Sequence, residues 1–114
     1  MNYSLSKKKI WVAGHNGMVG SAVVKRLLNE DCEIITVKKN IVDLRDGESV
    51  LRWMKSNKPE AIIVAAAKVG GIHANSNYPA EFLYDNLMMQ TNIIHCAWGC
   101  DVEKLLFLGS SCIY

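Results

Sequence analysis

The sequence predicts an α/β fold with a Rossmann-type, doubly wound parallel sheet, and three observations support that prediction. Apolar segments alternate with amphipathic helical patterns in the order βαβαβαβ. The apolar segments are continuous hydrophobic runs, as in parallel strands that are covered on both faces. A glycine-rich turn, Gly14–Gly20, joins the first strand to the first helix.

The first half of the chain predicts two strands and two helices after a flexible, basic lead-in over residues 1–9. Ile10–Ala13 is short and apolar, which predicts a buried strand. A run rich in β-branched residues predicts the second strand at Glu33–Val37. Asp46 is a suitable N-cap for a helix over residues 47–56. The first helix is predicted from an apolar face that comprises Val19, Val23, Leu27 and Leu28.

The second half of the chain predicts two further strands around one long helix. Ala61–Ala67 is an apolar run that predicts the third strand, and the glycine- and asparagine-rich stretch Lys68–Asn77 predicts a loop. Pro79 suits the first turn of a long helix that extends to about Gly99. Lys104–Leu108 predicts the fourth strand.

Length and composition exclude several classes of protein. The 114 residues are about one domain's worth, and 50% hydrophobic with 21% charged residues is typical of soluble globular proteins. No apolar run approaches the roughly 18 residues that cross a bilayer, and the run after the N-terminal lysines is too short for a signal peptide. We therefore expect a cytoplasmic protein with no membrane partner. The net charge of +2 is too small to indicate a nucleic-acid partner.

The charges and cysteines restrict the kind of site. Residues 1–60 hold 11 Lys and Arg against 7 Asp and Glu, so an anion-binding site is expected in this half. The cysteines have no CxxC spacing and are expected to be reduced thiols. Cys96 and Cys100 share a helix face that His95 does not, so no metal site is predicted.

The glycine turn predicts a dinucleotide site. Gly14 allows the tight turn, Gly17 leaves room for a pyrophosphate near the backbone, and Gly20 lets the helix pack closely on the strand. The N-terminus of that helix offers N–H groups and a partial positive charge to the pyrophosphate. A merely structural glycine turn is the alternative.

The residues after the second strand indicate which dinucleotide is bound. NAD-binding chains have a carboxylate there for the ribose 2′-hydroxyl, whereas this chain has Lys38 and Lys39. Lysines favour a 2′-phosphate, so NADP(H) is the predicted cofactor, and a pair of solvated surface lysines is the alternative. Asp43 could accept a hydrogen bond from the adenine amino group and Leu44 could pack on the ring. Asp43 could equally have no part in binding.

Four segments of the chain are distinctive: Gly14–Ser21, Ala65–Ile72, Asn75–Phe82 and Leu105–Tyr114. They resemble the GDP-L-fucose synthase family of extended short-chain dehydrogenases/reductases, and the resemblance covers the chain from about residue 9 onwards. It implies a bifunctional enzyme that epimerises GDP-4-keto-6-deoxy-D-mannose at C3 and C5. The same enzyme then reduces the C4 ketone with hydride from NADPH, which gives GDP-L-fucose.

The resemblance also implies roles for individual residues in cofactor binding. Lys39 lies where the family has a basic contact to the 2′-phosphate, and Asn16 lies where some members have an arginine for that phosphate. Asn86 resembles an asparagine that braces the third and fourth strands. The other implied contacts belong to the glycine turn, the backbone edge beside the ribose and the strand end under the nicotinamide. They are Gly14, His15, Gly17, Met18, Val19 and Gly20, then Ala65, Ala66 and Ala67, and finally Leu108, Gly109 and Ser110.

Two residues resemble catalytic groups of the family. Ser110 resembles the catalytic serine, whose hydroxyl would donate a hydrogen bond to the C4 carbonyl oxygen, and a strand-end serine that satisfies the backbone is the alternative. Cys112 resembles the epimerisation base, and a buried structural thiol is the alternative. Removal of a proton α to a ketone needs a base near pH 7, and a thiolate with a lowered pKa can serve. Lys68 follows an apolar run and borders the predicted cofactor groove, so it is a weaker candidate for the site. A side chain that only extends to solvent is the alternative.

The catalytic set is expected to be incomplete. Short-chain reductases use a Tyr-x-x-x-Lys pair, and the only such spacing here, Tyr3–Lys7, precedes the first strand. The resemblance implies that the pair, a histidine and the substrate domain all lie beyond Tyr114. Residues 10–114 are therefore expected to form an incomplete NADP-binding domain that is inactive alone. A non-catalytic NADP(H)-binding module and a fragment of another nucleotide-sugar epimerase or dehydratase are the alternatives.

The long helix is expected to contribute to a homodimer. Its apolar stripe is wider than one sheet-covering face needs, and the resemblance implies a dimer through helices in this region. Burial under later parts of the same chain is the alternative. The stripe comprises Phe82, Leu83, Leu87, Met88, Met89, Ile93, Ile94, Ala97 and Trp98.

Overall fold

The protein forms a parallel sheet with helices on both faces, as a computed structural model shows for residues 4–15, 17–38, 40–65 and 79–108. In these residues the strand order is β2-β1-β3-β4, and each neighbouring pair is parallel. The predicted α/β class and its βαβαβαβ order are therefore confirmed. The elements are β1 (Lys9–Ala13), α1 (Met18–Leu27), β2 (Glu33–Ile35), α2 (Gly47–Asn57), β3 (Ala61–Val64), α3 (Pro79–Gly99) and β4 (Lys104–Phe107).

Alternate residues of β1 belong to two separate cores. Ile10 and Val12 pack with Leu27 of α1 on one face of the sheet. Trp11 and Ala13 pack on the other face, against α2 and α3. Successive side chains of a strand point to opposite faces, so a strand buried on both sides has to be apolar at every position. Each fully buried side chain contributes about 1.5–3 kcal/mol to stability.

Trp11 is the largest side chain in the core under α2 and α3. Its ring lies 4.5 Å, centroid to centroid, from that of Trp53 of α2, with 47° between the ring planes. Such a tilted pair is a favourable arrangement for two aromatic rings. Among the described residues, no acceptor lies within hydrogen-bonding distance of the buried Trp11 Nε1. The indole therefore serves this core mainly through its volume.

Local signals define both ends of α2. The Asp46 carboxylate accepts hydrogen bonds from the Glu48 N–H at 3.2 Å and the Ser49 hydroxyl at 2.9 Å, so the predicted N-cap is confirmed. The Ser49 hydrogen bond is the main cause that lowers the pKa of Asp46. After Asn57, Lys58 adopts a left-handed φ of 50° and Pro59 follows, so the helix cannot continue.

The strands are shorter than the apolar runs that predict them. β2 ends at Ile35 and not at Val37, because the chain then turns away from β1: the N–H groups of Ile41 and Val42 both donate to the Lys38 carbonyl, at 2.9 and 3.1 Å. This turn replaces the pairing that would have extended β2.

The ends of the other strands differ from the predicted ends by smaller amounts. β3 ends at Val64, and of the predicted extension to Ala67 only Ala65 lies within the described residues. β4 ends at Phe107 and not at Leu108, and β1 begins one residue earlier than predicted, at Lys9.

Part of the predicted lead-in contacts the sheet. The Lys8 ammonium lies 2.9 Å from a carboxylate oxygen of Glu103, and the Lys9 N–H donates to Glu60 at 2.9 Å. These contacts join the amino ends of β1, β3 and β4. Because the Lys8 pair is partly exposed to water, it adds little stability.

The helix α3 covers the sheet with one face and leaves an apolar stripe on the opposite face. Ile93, Cys96 and Ala97 are buried against the sheet. No helix in the described part of the chain, α3 included, is long and apolar enough to cross a membrane. The outer stripe consists of Tyr84, Leu87, Ile94 and Trp98, which are 63%, 53%, 47% and 81% exposed.

Candidate cofactor-binding site

The carboxyl ends of three strands bring the predicted site residues to one edge of the sheet. Ala13 pairs in register with Val64, which pairs with Phe107, so the residues that follow them are neighbours. Two hydrogen bonds extend this alignment past the strands. The Ala65 N–H donates to the Ala13 carbonyl at 2.8 Å, and the Leu108 N–H donates to the Val64 carbonyl at 3.1 Å. Ligands of open α/β sheets bind outside this edge.

The glycine turn has the tight geometry that the sequence predicts. Gly14 has a φ of 89°, a left-handed conformation that favours glycine. The Gly17 N–H donates to the Gly14 carbonyl at 3.2 Å and closes the turn. A Cβ on Gly20 would overlap the Gly14 carbonyl, 2.6 Å from its carbon and nearer still to its oxygen, which is closer than real Cβ atoms come to backbone. The start of α1 can pack on the turn only because residue 20 lacks a side chain.

The N-terminus of α1 suits an anion. Its N-cap, Gly17, has no capping side chain, and its first turn contains no acidic residue. The first-turn N–H groups of a helix have no partner within the helix and carry partial positive charge. Met18 is 90% exposed and Val19 is 53% exposed, so the outer side of this turn is open. A Cβ at Gly17 would meet its nearest non-neighbouring atom at 3.6 Å, so the protein itself leaves the space beside Gly17 open.

The segment after β2 contains a charged cluster that the sequence did not reveal. Asp43 accepts hydrogen bonds from the Arg45 backbone N–H at 3.0 Å, from Nε at 3.1 Å and from Nη2 at 3.0 Å. Arg45 Nη1 also lies 3.6 Å from a carboxylate oxygen of Asp85 on α3. The Asp43 hydrogen bond is the first cause that raises the pKa of Arg45, so the guanidinium remains charged. The Asp-x-Arg spacing was visible in the sequence, but the contribution of Asp85 was not.

The inner face of α3 supports the same segment. The Asn92 amide donates to the Leu44 carbonyl at 2.9 Å, and its oxygen lies 3.2 Å from the position of a Cβ on Gly47. The Cys96 thiol lies 3.7 Å from the Gly47 carbonyl, which it can reach as a weak donor. Burial, and then the neighbouring Cys100, raises the pKa of Cys96. Cys96 is therefore a buried structural thiol.

The predicted site residues that the structure describes fall into three groups. Gly14, His15, Gly17 and Gly20 lie in the turn and helix start, and Ala65 and Leu108 lie beside them at the strand ends. Asp43 and Leu44 lie in the charged segment after β2, and Leu44 also packs on the core under α2 and α3. Asn86, half-buried, follows Asp85 on α3. The predicted residues outside the described part of the chain are Asn16, Lys39, Ala66, Ala67, Lys68, Gly109, Ser110 and Cys112.

The chain resembles known nucleotide-sugar enzymes along nearly its whole length. A family model described as the NAD dependent epimerase/dehydratase family matches residues 10–114. The chain is 54% identical to a GDP-L-fucose synthase of Sinorhizobium fredii, with 98% of this chain and 36% of that protein covered. It is 48% identical to a GDP-L-fucose synthase of Escherichia coli K12, with 96% and 35% covered.

A solved structure gives the same picture. A GDP-mannoheptose C4 reductase from Campylobacter jejuni with NADP bound superposes with a TM-score of 0.85 at 33% identity. The match covers 95% of this chain and 32% of that one. The chain thus spans about a third of the length of the curated relatives it matches.

Proposed function

The chain belongs to the NAD dependent epimerase/dehydratase family, and from this premise we propose that it is the cofactor-binding part of a GDP-L-fucose synthase. Such an enzyme epimerises GDP-4-keto-6-deoxy-D-mannose at C3 and C5 and reduces C4 with NADPH. The observation that carries the proposal is the Gly14–Gly20 turn, where residue 20 has no room for a side chain and the start of α1 is uncapped. The names of the relatives support GDP-L-fucose as the product.

The residues of the turn fit a dinucleotide. Gly17 leaves space at the backbone, and the N–H groups at the start of α1 would bind the pyrophosphate. Lys39 would bind the 2′-phosphate, and Asp43 with Leu44 would receive the adenine. Ala65 and Leu108 would lie beside the ribose and the nicotinamide. When bound, NADPH supplies the hydride for C4, and the chain orients and shields the reacting groups.

Two residues beyond β4 would act on the sugar. We assign Cys112 as the base that removes the protons at C3 and C5, because these carbons flank the C4 ketone and are therefore acidic. The Ser110 hydroxyl would donate a hydrogen bond to the C4 carbonyl oxygen, where negative charge develops in both the epimerisation and the reduction.

Paired lysine variants test the cofactor assignment. Lys39→Ala should weaken NADPH binding about tenfold and change NADH binding less than about twofold, because only NADPH has a 2′-phosphate. Lys38→Ala, the exposed neighbour, is the matched control and should change neither. Titration by the fluorescence of each reduced dinucleotide measures the dissociation constants for NADPH and NADH. Equal losses for the two dinucleotides would refute the role of Lys39, and an unmodified protein that fails to bind NADPH would refute the proposed function.

The reaction itself is tested on the longest natural protein that contains this sequence. With GDP-4-keto-6-deoxy-D-mannose, NADPH and D2O, the product should be GDP-L-fucose carrying deuterium at C3 and C5. Cys112→Ala should abolish the deuterium uptake, and unchanged uptake would exclude Cys112 as the base. A C4 reductase without epimerase activity is the second candidate, favoured by the similarity to the GDP-mannoheptose C4 reductase. Reduction with no deuterium uptake would decide for it.

We also propose that two copies of the chain associate through the outer stripe of α3. Tyr84, Leu87, Ile94 and Trp98 follow the three- and four-residue spacing of a helix–helix seam, with Thr91 at its centre. An antiparallel pair about a two-fold axis would place Tyr84 of one copy opposite Trp98 of the other.

The oligomeric state tests this interface. Leu87→Glu should convert a dimer into a monomer in sedimentation velocity, because a charge would be buried in the seam. Leu28→Glu is the control, since Leu28 is 69% exposed and lies outside the stripe. A Leu87→Glu protein that remains dimeric, or an unmodified protein that is monomeric, would contradict the proposal.

We place the protein in the cytoplasm, which the free thiols of Cys32, Cys96 and Cys100 support, and cell fractionation checks this placement.

A further inference from the structure

Arg45 joins the segment after β2 to α3 through two carboxylates. Its guanidinium donates to both oxygens of Asp43 and lies 3.6 Å from Asp85. Asp85 is the one buried charged residue of the described part of the chain, and its side chain is 13% exposed, whereas the side chains of Arg45 and Asp43 are 43% and 44% exposed. A buried carboxylate is costly unless it is paired, so Asp85 has a strong physical reason to hold the Arg45 guanidinium at this place.

The pairing restricts the Asp43 carboxylate. Arg45 donates to both Asp43 oxygens in the planar, two-point arrangement that orients a carboxylate most strictly. The Asp43 side chain is 44% exposed, so a ligand can reach this carboxylate in the orientation that the guanidinium sets. The Asn92 amide of the same helix donates to the carbonyl of Leu44, the residue between Asp43 and Arg45. The segment 43–45 is therefore attached to α3 by two residues, Asn92 and Asp85.

We propose that Asp85, acting through Arg45, is a positioning residue that holds Asp43 where it selects the adenine amino group of the dinucleotide. The inference rests on the proposed function, because it needs the dinucleotide to bind at this edge. It assigns no contact with the cofactor to Asp85 or to Arg45. It makes the preference for adenine over a base without the amino group depend on a residue of α3.

A pair of dinucleotides that differ only at the base tests the proposal. Hypoxanthine has a carbonyl at position 6, where adenine has the amino group, so deamino-NADPH cannot donate a hydrogen bond to Asp43 from that position. Unmodified protein should bind NADPH about tenfold more tightly than deamino-NADPH, since a hydrogen bond to a charged acceptor is lost. In Asp85→Asn this ratio should fall below about threefold, mainly through weaker binding of NADPH. Fluorescence titration of the full chain measures both constants.

Two further variants separate positioning from other effects. Glu81→Gln removes a charge from the exposed side of the same helix and should keep the tenfold ratio. Arg45→Lys keeps the charge but cannot make the two-point contact, so its ratio should be intermediate. Asparagine is close to aspartate in shape, and a thermal melt of Asp85→Asn verifies that it is folded.

The other possible results of these titrations each contradict the proposed role of Asp85. If Asp85→Asn weakens both dinucleotides equally, Asp85 is merely structural and the proposal is wrong. If it strengthens binding, only the removed negative charge acts, and the proposal is also wrong. Unmodified protein that binds NADPH without discriminating between the bases overturns this inference and leaves the proposed function intact. Unmodified protein that binds neither dinucleotide overturns both.

Discussion

Gly20→Ala should destabilise the protein strongly, although alanine is the better helix former. Residue 20 lies in the first turn of α1, where alanine would normally add about 1 kcal/mol of stability. Here the new Cβ would lie 2.6 Å from the Gly14 carbonyl carbon and 3.0 Å from the His15 Cα, and both atoms are backbone. The Gly14 carbonyl oxygen would lie closer still, and no side chain can rotate away, so α1 has to move by roughly 1.5 Å to reach ordinary contact distances.

That displacement affects the core beneath α1. Leu27, at the other end of the helix, is only 5% exposed and packs on Ile10 and Val12 of β1. Overpacking of this kind costs about 1–3 kcal/mol, and we expect the upper end of that range because the obstacle is rigid. In a domain of this size the loss corresponds to a fall in Tm of roughly 10 °C.

Urea unfolding followed by circular dichroism measures the change, with Gly99→Ala as the matched control. Nothing lies within 4 Å of a Cβ at Gly99, so alanine there should be neutral or stabilise the protein by up to about 1 kcal/mol. The midpoint should fall for Gly20→Ala with an unchanged slope, because the folded state loses stability and not compactness. A Gly20→Ala protein within about 0.5 kcal/mol of the control would refute the packing argument.

Three further predictions concern the turn, a helix cap and a thiol. Gly17→Ala should keep its melting temperature, since its Cβ would meet the nearest atom at 3.6 Å. It should nevertheless bind NADPH about tenfold more weakly in a titration, because the Cβ would occupy space that the pyrophosphate needs. An unchanged affinity would show that Gly17 is not part of the site. Asp46 has a lowered pKa, so its stabilisation is complete above its ordinary pKa of 3.8 and is lost as the pH falls through the lower folded value. The stability difference between the unmodified protein and Asp46→Asn in urea titrations should therefore be constant at neutral pH and shrink as the pH falls below about 4, and a difference that stays constant in acid would contradict this. Cys96, buried and with a raised pKa, should react with iodoacetamide at least about tenfold more slowly than in the urea-unfolded protein, as peptide mass spectrometry measures; equal rates would show that it is accessible.

Features that depend on neighbouring residues were predictable from the sequence. The β1–turn–α1 unit, the Asp46 cap and the α3 span follow from apolar periodicity, glycine spacing and capping chemistry, which act over a few residues. The family resemblance was also legible in the sequence, since its motifs are short. Among the candidate site residues, those of the turn could be named because the glycines themselves set the backbone shape.

Features that depend on how elements dock were not predictable. The early end of β2 follows from a turn at Lys38 that withdraws the chain from β1. Periodicity measures only how apolar a segment is, and Thr36 and Val37 remain compatible with a strand after the chain has left the sheet. The apolar stripe of α3 was visible, but only the structure shows which residues face the sheet and which remain outside.

The sequence by itself determined the class of fold, the kind of turn and the family, because each is encoded by residues close together in the chain. The tertiary structure alone decided that Arg45 lies between Asp43 and Asp85, and that Asn92 supports Leu44 from across the fold. A charge pair between distant residues forms only when one particular face of α3 is turned towards the segment after β2. That orientation is set by the burial of Ile93, Cys96 and Ala97 in the core, and no local pattern of charges contains it.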